Sequence, residues 1–322
     1  MKLFAYLTAI ATFAFASTAC AQATRPLDKP IRMVVPFAAG GGVDNAARVL
    51  ANQLRTRLGV AVVVENRAGA SGSVGGKSVQ IAPADGTTLL FSASTHVMAK
   101  QVLREPPYDP QTDFAPVARV GEAPLMLVVA PKHDVKNLKA LLDEARKQPE
   151  KWSAAIPAAG AASHIATLLL AKQGKVTFMI VPYKGTQPAV TDVAGGHTDL
   201  LLDSMISLLP LAQAGKVKAL AITAKQRSPL APDVPTVAEA GFPDTAYVSW
   251  YGVWAPKDTP PDVVAQLNRQ INAAVQDLAK AGAWAKLGID PVNETPDQMK
   301  RFIASDVAQS ADLLRSAGFK PE

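Results

Sequence analysis

Two short loops of alanine and glycine are the residues of this chain best suited to holding an anion. Pro36 to Gly42 and Pro157 to Gly160 each join the end of an expected strand to the start of an expected helix. The first turn of a helix has free N–H groups and about half a positive charge from its peptide dipoles. Small side chains let an anion approach that backbone. One such loop reads equally well as tight strand–helix packing, which also selects Ala and Gly. Two of them facing across a cleft would grip a carboxylate from both sides. The positions expected to meet the ligand are Phe37, Ala38, Ala39, Gly40 and Gly41 in the first loop, and Ala159, Gly160, Ala161, Ser163 and His164 in the second.

Further polar groups sit at other strand ends. In Val181-Pro-Tyr-Lys-Gly185, Tyr183 is placed to stack on a ligand and Lys184 to face its charge; a capped turn with Lys184 in solvent is the alternative. Asp203-Ser204 ends another strand of the same half. Asp44, near the first helix start, reads as an acceptor for local N–H groups rather than a general base. Trp250-Tyr251 is placed to line a cleft or, for Trp250, to pack in a core.

Catalytic signatures are missing. No G-x-S-x-G elbow and no H-E-x-x-H occurs. The G-x-x-x-x-G-K-[ST] phosphate loop is absent, and Gly69, Gly72 and Gly75 have the wrong spacing for G-x-G-x-x-G. His96, His133, His164 and His197 are never three or four residues apart, so no metal site is expected. Ser163 and His164 are adjacent on a helix and point apart, which disfavours a nucleophile–base pair. No cofactor is implied and the chain does not read as an enzyme; a secreted hydrolase using Asp44, His164 or Asp203 is the rival from another class.

The elements that must position these groups follow from periodicity. Ile31–Val35, Ala61–Val64 and Thr88–Phe91 read as strands, and Val43, Ala46, Ala47, Leu50 and Leu54 share one helix face. The pattern restarts with strands at Leu125–Ala130, Ser153–Ile156, Thr177–Pro182, Leu200–Asp203 and Leu220–Thr223. Strand–helix alternation predicts parallel sheets covered by helices, in two α/β units. The last third is helical: Val264, Leu267, Ile271 and Leu278 fall on one face, and Thr295-Pro-Asp-Gln298 is a capping box. These helices have too few strands for a third unit, so they return to the first and the chain crosses between lobes twice, near Val120–Leu127 and Tyr247–Trp254.

Composition is consistent with this. The 322 residues are 48% apolar with a net charge of +6, a folded rather than disordered composition. Lys and Arg are dispersed without aromatic interleaving, so no nucleic-acid partner is expected. At the N-terminus Lys2, an apolar stretch and Ala21-Gln22-Ala23 predict an export leader, residues 1–23, cleaved near Ala23. Lipidation at Cys20, the single cysteine, is the alternative.

Several short motifs, in order along nearly the whole chain, resemble the tripartite tricarboxylate transporter receptors, or Bug family of solute-binding proteins. They are Val35-Pro-Phe-Ala-Ala-Gly-Gly-Gly-Val-Asp44, Asn66-Arg-Ala-Gly69, Ala84-Asp-Gly86, Ser163-His164, Val181-Pro-Tyr-Lys-Gly185 and Pro235-Thr-Val-Ala-Glu-Ala-Gly241. The resemblance implies an α/β, two-lobe periplasmic binding protein fold of type II with the ligand cleft between lobes. It implies a periplasmic receptor that captures a small organic carboxylate with backbone N–H groups, hydroxyls and waters, and delivers it to membrane permease subunits. Presentation of the ligand to a membrane kinase is the alternative role. Expected boundaries are 24–123 with 248–322 for lobe 1 and 124–247 for lobe 2, in a monomer. Two departures stand out: Val43 where the family usually has Thr, and Ala158-Ala-Gly-Ala-Ala162 where it usually has Gly-Ser-Gly and further hydroxyls. They predict a more apolar pocket wall and a ligand with a hydrophobic or aromatic body.

Overall fold

The chain from Ile31 opens with a run of β-branched and aliphatic residues that is buried almost throughout and forms strand β1 (Ile31–Val35). A computed structural model describes residues 27–149 and 151–321; the expected leader, with Ala23 and Cys20, lies outside the described residues. Helix α1 (Gly42–Leu58) follows with Ala46, Ala47, Leu50 and Leu54 inward, and ends where Gly59 turns left-handed. Strand β2 (Val62–Asn66), helix α2 (Ser73–Gln80), strand β3 (Thr88–Ala93) and the short helix α3 (Ala99–Val102) come next. The long strand β4 (Phe114–Val129) then leads to α4 (Leu138–Lys147), whose start is capped by Asn137.

The second half repeats the alternation: β5 (Ser153–Ile156), α5 (Ala162–Gly174), β6 (Met179–Pro182), α6 (Thr186–Ala194), β7 (Leu200–Ser204), α7 (Met205–Gln213) and β8 (Lys218–Ile222). Strand β9 (Val248–Pro256) precedes α8 (Pro261–Lys280), α9 (Ala283–Lys286), β10 (Asp290–Pro291) and α10 (Pro296–Ser316). The expected capping box of Thr295 and Gln298 is formed at the start of α10. The expected face of α8 is buried, packing Leu267, Ile271 and Val275 into one core cluster with Leu50 and Leu54 of α1.

The strand order is β2-β1-β3-β9-β4-β7-β5-β6, with β10 and β8 also on β4. Strands β2, β1 and β3 are parallel, as are β6, β5 and β7. The sheets are mixed rather than parallel throughout, because β9 pairs antiparallel with β3 and β4, and β4 pairs antiparallel with β7 and β8. That departure has a simple cause. A strand that crosses from one lobe to the other enters the second sheet without a crossover helix, so parallel pairing is not imposed on it. Strand β4 pairs with β9 up to Pro124 and with β7 from Leu125 onward, so one continuous strand serves both sheets.

Candidate ligand-binding site

The carboxyl ends of β1, β3, β5, β6 and β7 converge on one cavity between the lobes, where ligands of open α/β sheets bind. Its empty volume is about 490 Å³, open solvent at its mouth included.

The two Ala/Gly loops are built alike. Gly40 and Gly160 both have positive φ (84° and 70°), which lets the chain turn sharply into the helix. The Gly40 N–H donates to Asp44 Oδ2 at 2.9 Å, and the Gly160 N–H donates to His164 Nδ1 at 3.1 Å. In both cases a side chain four residues on ties the loop down. The residues that precede the helices, Gly41 and Ala161, are extended, and neither provides a side-chain cap. Among the described residues the first N–H groups of α1 and α5 therefore have no side-chain acceptor, and both helix starts border the cavity. Ser163 adds a hydroxyl there; it is 1% exposed and its Oγ has no hydrogen-bond partner among the described residues.

Asp44 is saturated by its own lobe. Arg48 Nε donates to its Oδ2 at 2.9 Å, and Asn66 Nδ2 donates to its Oδ1 at 2.9 Å. Burial works against its charge, but the bonds from Arg48, Gly40 and Asn66 outweigh it and hold the carboxyl below the usual range. His164 accepts at Nδ1, so it is neutral with its proton on Nε2; burial lowers its pKa to about 4. Its ring also packs edge-on against Phe319, 5.1 Å between centroids.

On the facing side Asp203 is buried and accepts from Thr186 Oγ1 at 2.6 Å. Burial pushes its pKa up to about 6, against the bonds from Thr186 and the Ser204 N–H. Ser204 Oγ and the Tyr251 hydroxyl lie 3.3 Å apart beside it, and burial raises the Tyr251 pKa to about 12.

The lobes touch around the cavity. The Ala38 N–H donates to the Lys184 carbonyl at 3.3 Å, and the Ala159 N–H donates to Ser71 Oγ at 3.2 Å. A Cβ on Gly42 would come within 2.8 Å of Ser204 Cβ and 3.3 Å of the Tyr251 hydroxyl oxygen. Glycine at 42 is thus what lets α1 approach the second lobe this closely.

Of the residues expected at the site, Phe37, Ala38, Gly41, Asp44, Ala161, Ser163 and Asp203 line the cavity. Ala39, Gly40, Ala159, Gly160 and His164 are not among the lining residues: Ala39 and Gly40 are exposed, while Ala159, Gly160 and His164 are buried. The side chains of Tyr183 and Lys184 depart from their expected place. The Tyr183 hydroxyl donates to Asp192 Oδ2 at 2.6 Å, and Lys184 is exposed with only its carbonyl engaged across the cleft. The cause is Gly185, whose φ of 126° turns the chain so that Thr186 enters the cavity instead.

The cavity wall is less polar at the two loops, as expected, with Val43, Ala158 and Ala162 facing in. It is not apolar overall, because Thr95, Thr186, Ser204, Ser249 and Tyr251 supply hydroxyls from other strand ends. Thr95 and Ser249 escaped the sequence reading. Their signal was position alone: each lies just past the end of β3 or just inside β9, at the same cleft edge.

Comparison with known proteins matches this architecture. The family described as "Tripartite tricarboxylate transporter family receptor" matches residues 46–319. The chain belongs to that family. It is 40% identical to Protein BugT of Bordetella pertussis over 294 residues, 91% of this chain and 90% of BugT. The receptor also superposes on the periplasmic binding protein BugD with a TM-score of 0.86 at 35% identity, covering 92% of this chain and 99% of that one. Rpa4515 of R. palustris, whose structure is described with adipate, gives a TM-score of 0.87 at 32% identity, over 91% of this chain and 99% of that one. The two-lobe periplasmic binding fold that the motifs implied is therefore the fold of this receptor.

Proposed function

We propose that this receptor captures a small organic carboxylate in the cavity between its lobes, holds it against the starts of α1 and α5, and hands it unchanged to the membrane permease subunits of its transporter. The carrying observation is the pair of helix starts without side-chain caps, with the unpartnered Ser163 hydroxyl beside them. Each helix start favours negative charge through its free N–H groups and dipole. The adipate in the Rpa4515 structure supports a carboxylate for this chain too.

The ligand is held rather than transformed. Asp44 and His164 are occupied in securing their own loops, and Ser163 has no base within hydrogen-bond reach among the described residues. The change of partner along β4 at Pro124–Leu125 supports the division into 24–123 with 248–322, and 124–247. The receptor acts as a monomer in the periplasm after removal of a leader cleaved near Ala23. Native mass spectrometry of protein purified without refolding, followed by calorimetry with the acid it carries, tests this reading. The expected result is one bound carboxylate released with unaltered mass; a chemically altered product would establish an enzyme instead.

A further inference from the structure

Among the described residues three other than glycine have positive φ, and two of them are neighbours: Ala70 at 44° and Ser71 at 51°. That conformation is unfavourable for an L-residue and persists only where the surrounding structure holds it. The pair lies between β2 and α2, in a turn packed on the first Ala/Gly loop. A Cβ on Gly72 would stand 3.2 Å from Phe37 Cζ, and Phe37 lines the cavity. From this turn the Ser71 hydroxyl reaches the other loop and accepts the Ala159 N–H at 3.2 Å.

The second loop satisfies its next two N–H groups by itself. Gly160 donates to His164 Nδ1 at 3.1 Å, and Ala161 donates to the Ala158 carbonyl at 3.3 Å. Ala159 is 1% exposed, and its N–H finds its acceptor across the cleft. The first loop is tied in return, backbone to backbone, by the Ala38 N–H and the Lys184 carbonyl. Each loop is therefore joined once to the opposite side, and Ser71 supplies the side chain of that clasp.

We propose that Ser71 is a positioning residue for lobe closure: its hydroxyl latches the second loop, and with it the start of α5, against the first loop. This rests on the reading of the cavity between the lobes as the ligand site. Ser71 is not among the residues lining that cavity, so it acts through Ala159. With the lobes together, removing the acceptor leaves a buried N–H unpaired. With the lobes apart, water takes the acceptor's place. The loss therefore falls on the closed arrangement and shifts the balance toward the open one. Glycine would adopt the φ at position 71 more readily than serine, but it brings no acceptor. The turn and the latch favour different residues, so substitution separates them.

Ser71→Ala removes the hydroxyl and keeps the unfavourable backbone; Ser71→Gly removes both. Hydrogen exchange resolved to single amides tests the latch on the unaltered protein and both variants, each as purified and with adipate added. In both variants the Ala159 amide should exchange at least about fivefold faster than in the unaltered protein, as one lost hydrogen bond requires. Amides of β1 and β5 should keep their rates. Ser71→Gly should nonetheless melt above Ser71→Ala, because glycine relieves the turn. Equal exchange at Ala159 in all three proteins, under both conditions, overturns the proposal. So does exchange in Ser71→Gly as slow as in the unaltered protein, since Ser71 would then serve the turn alone. The carboxylate reading is decided separately, by the compound that the purified protein releases. An uncharged compound would overturn that reading and leave the latch standing.

Discussion

Gly42→Ala tests whether close approach of the lobes is part of binding. A Cβ at this position would lie 2.8 Å from Ser204 Cβ, where ordinary contact begins near 3.4 Å. Ser204 Cβ is fixed to the backbone at the end of β7 and cannot rotate away, so the lobes must stay apart by roughly 0.6 Å. A shift of that size takes the Ala38 N–H bond to the Lys184 carbonyl from 3.3 Å to about 3.9 Å, past hydrogen-bond range. The Ala159–Ser71 bond at 3.2 Å is stretched in the same way. One lost bond costs about 1 kcal/mol, and overpacking of a closed contact costs about 1–3 kcal/mol. Ligand affinity should therefore fall about 10- to 100-fold. Calorimetry gives the affinity, and melting with and without ligand separates binding from folding. Native affinity in the alanine variant would refute the claim that binding needs α1 this close to Ser204.

Other substitutions sort the residues by what they touch. Ser163→Ala deletes a buried hydroxyl that has no partner among the described residues, so the ligand-free melting temperature should not fall, while affinity drops by about 1 kcal/mol, roughly fivefold, in calorimetry. Tyr183→Phe and Lys184→Ala should each leave affinity within about twofold, since both side chains lie outside the cavity. Asp203 has a folded pKa near 6 against 3.8, so the folded state binds the extra proton between those values and stability falls as pH rises through them. Asp203→Asn should therefore add up to about 3 kcal/mol in urea unfolding at pH 7, with the gain vanishing toward pH 4. His164 runs the other way: its folded pKa of about 4 lies below 6.5, so the folded state binds fewer protons and stability is lost as pH falls from 6.5 toward 4. In His164→Gln, whose amide oxygen can still accept the Gly160 N–H, that part of the acid sensitivity should disappear.

The parts of the fold that depend on local pattern were legible in the sequence. The buried face of α8, the Thr295 capping box and the loops that start α1 and α5 follow from periodicity, side-chain chemistry and residue size. The direction of β4 and β9 was not, because antiparallel pairing there comes from how the crossing strand meets both sheets, and no local signal encodes it. At the site, Ser163 and Asp203 were readable as polar residues at a helix start and a strand end. Tyr183 and Lys184 were misplaced because the turn at Gly185 reverses which residue faces inward. Asp44 was legible as an acceptor for a local N–H, but the matching pairing of Gly160 with His164 is visible only in three dimensions, since Asp and His share no residue-type pattern. It also makes Gly160 a poor probe of binding: a Cβ there would meet Val102 Cγ1 at 2.7 Å, in the core rather than in the cavity.

The central claim is that two facing helix starts hold the carboxylate. A crystal structure with the acid recovered from the purified protein tests it most directly. The account predicts carboxylate oxygens within about 3 Å of backbone nitrogens in the first turns of α1 and α5, with Ser163 Oγ as a further donor. A carboxylate paired instead with Lys184, or held away from both helix starts, would contradict it.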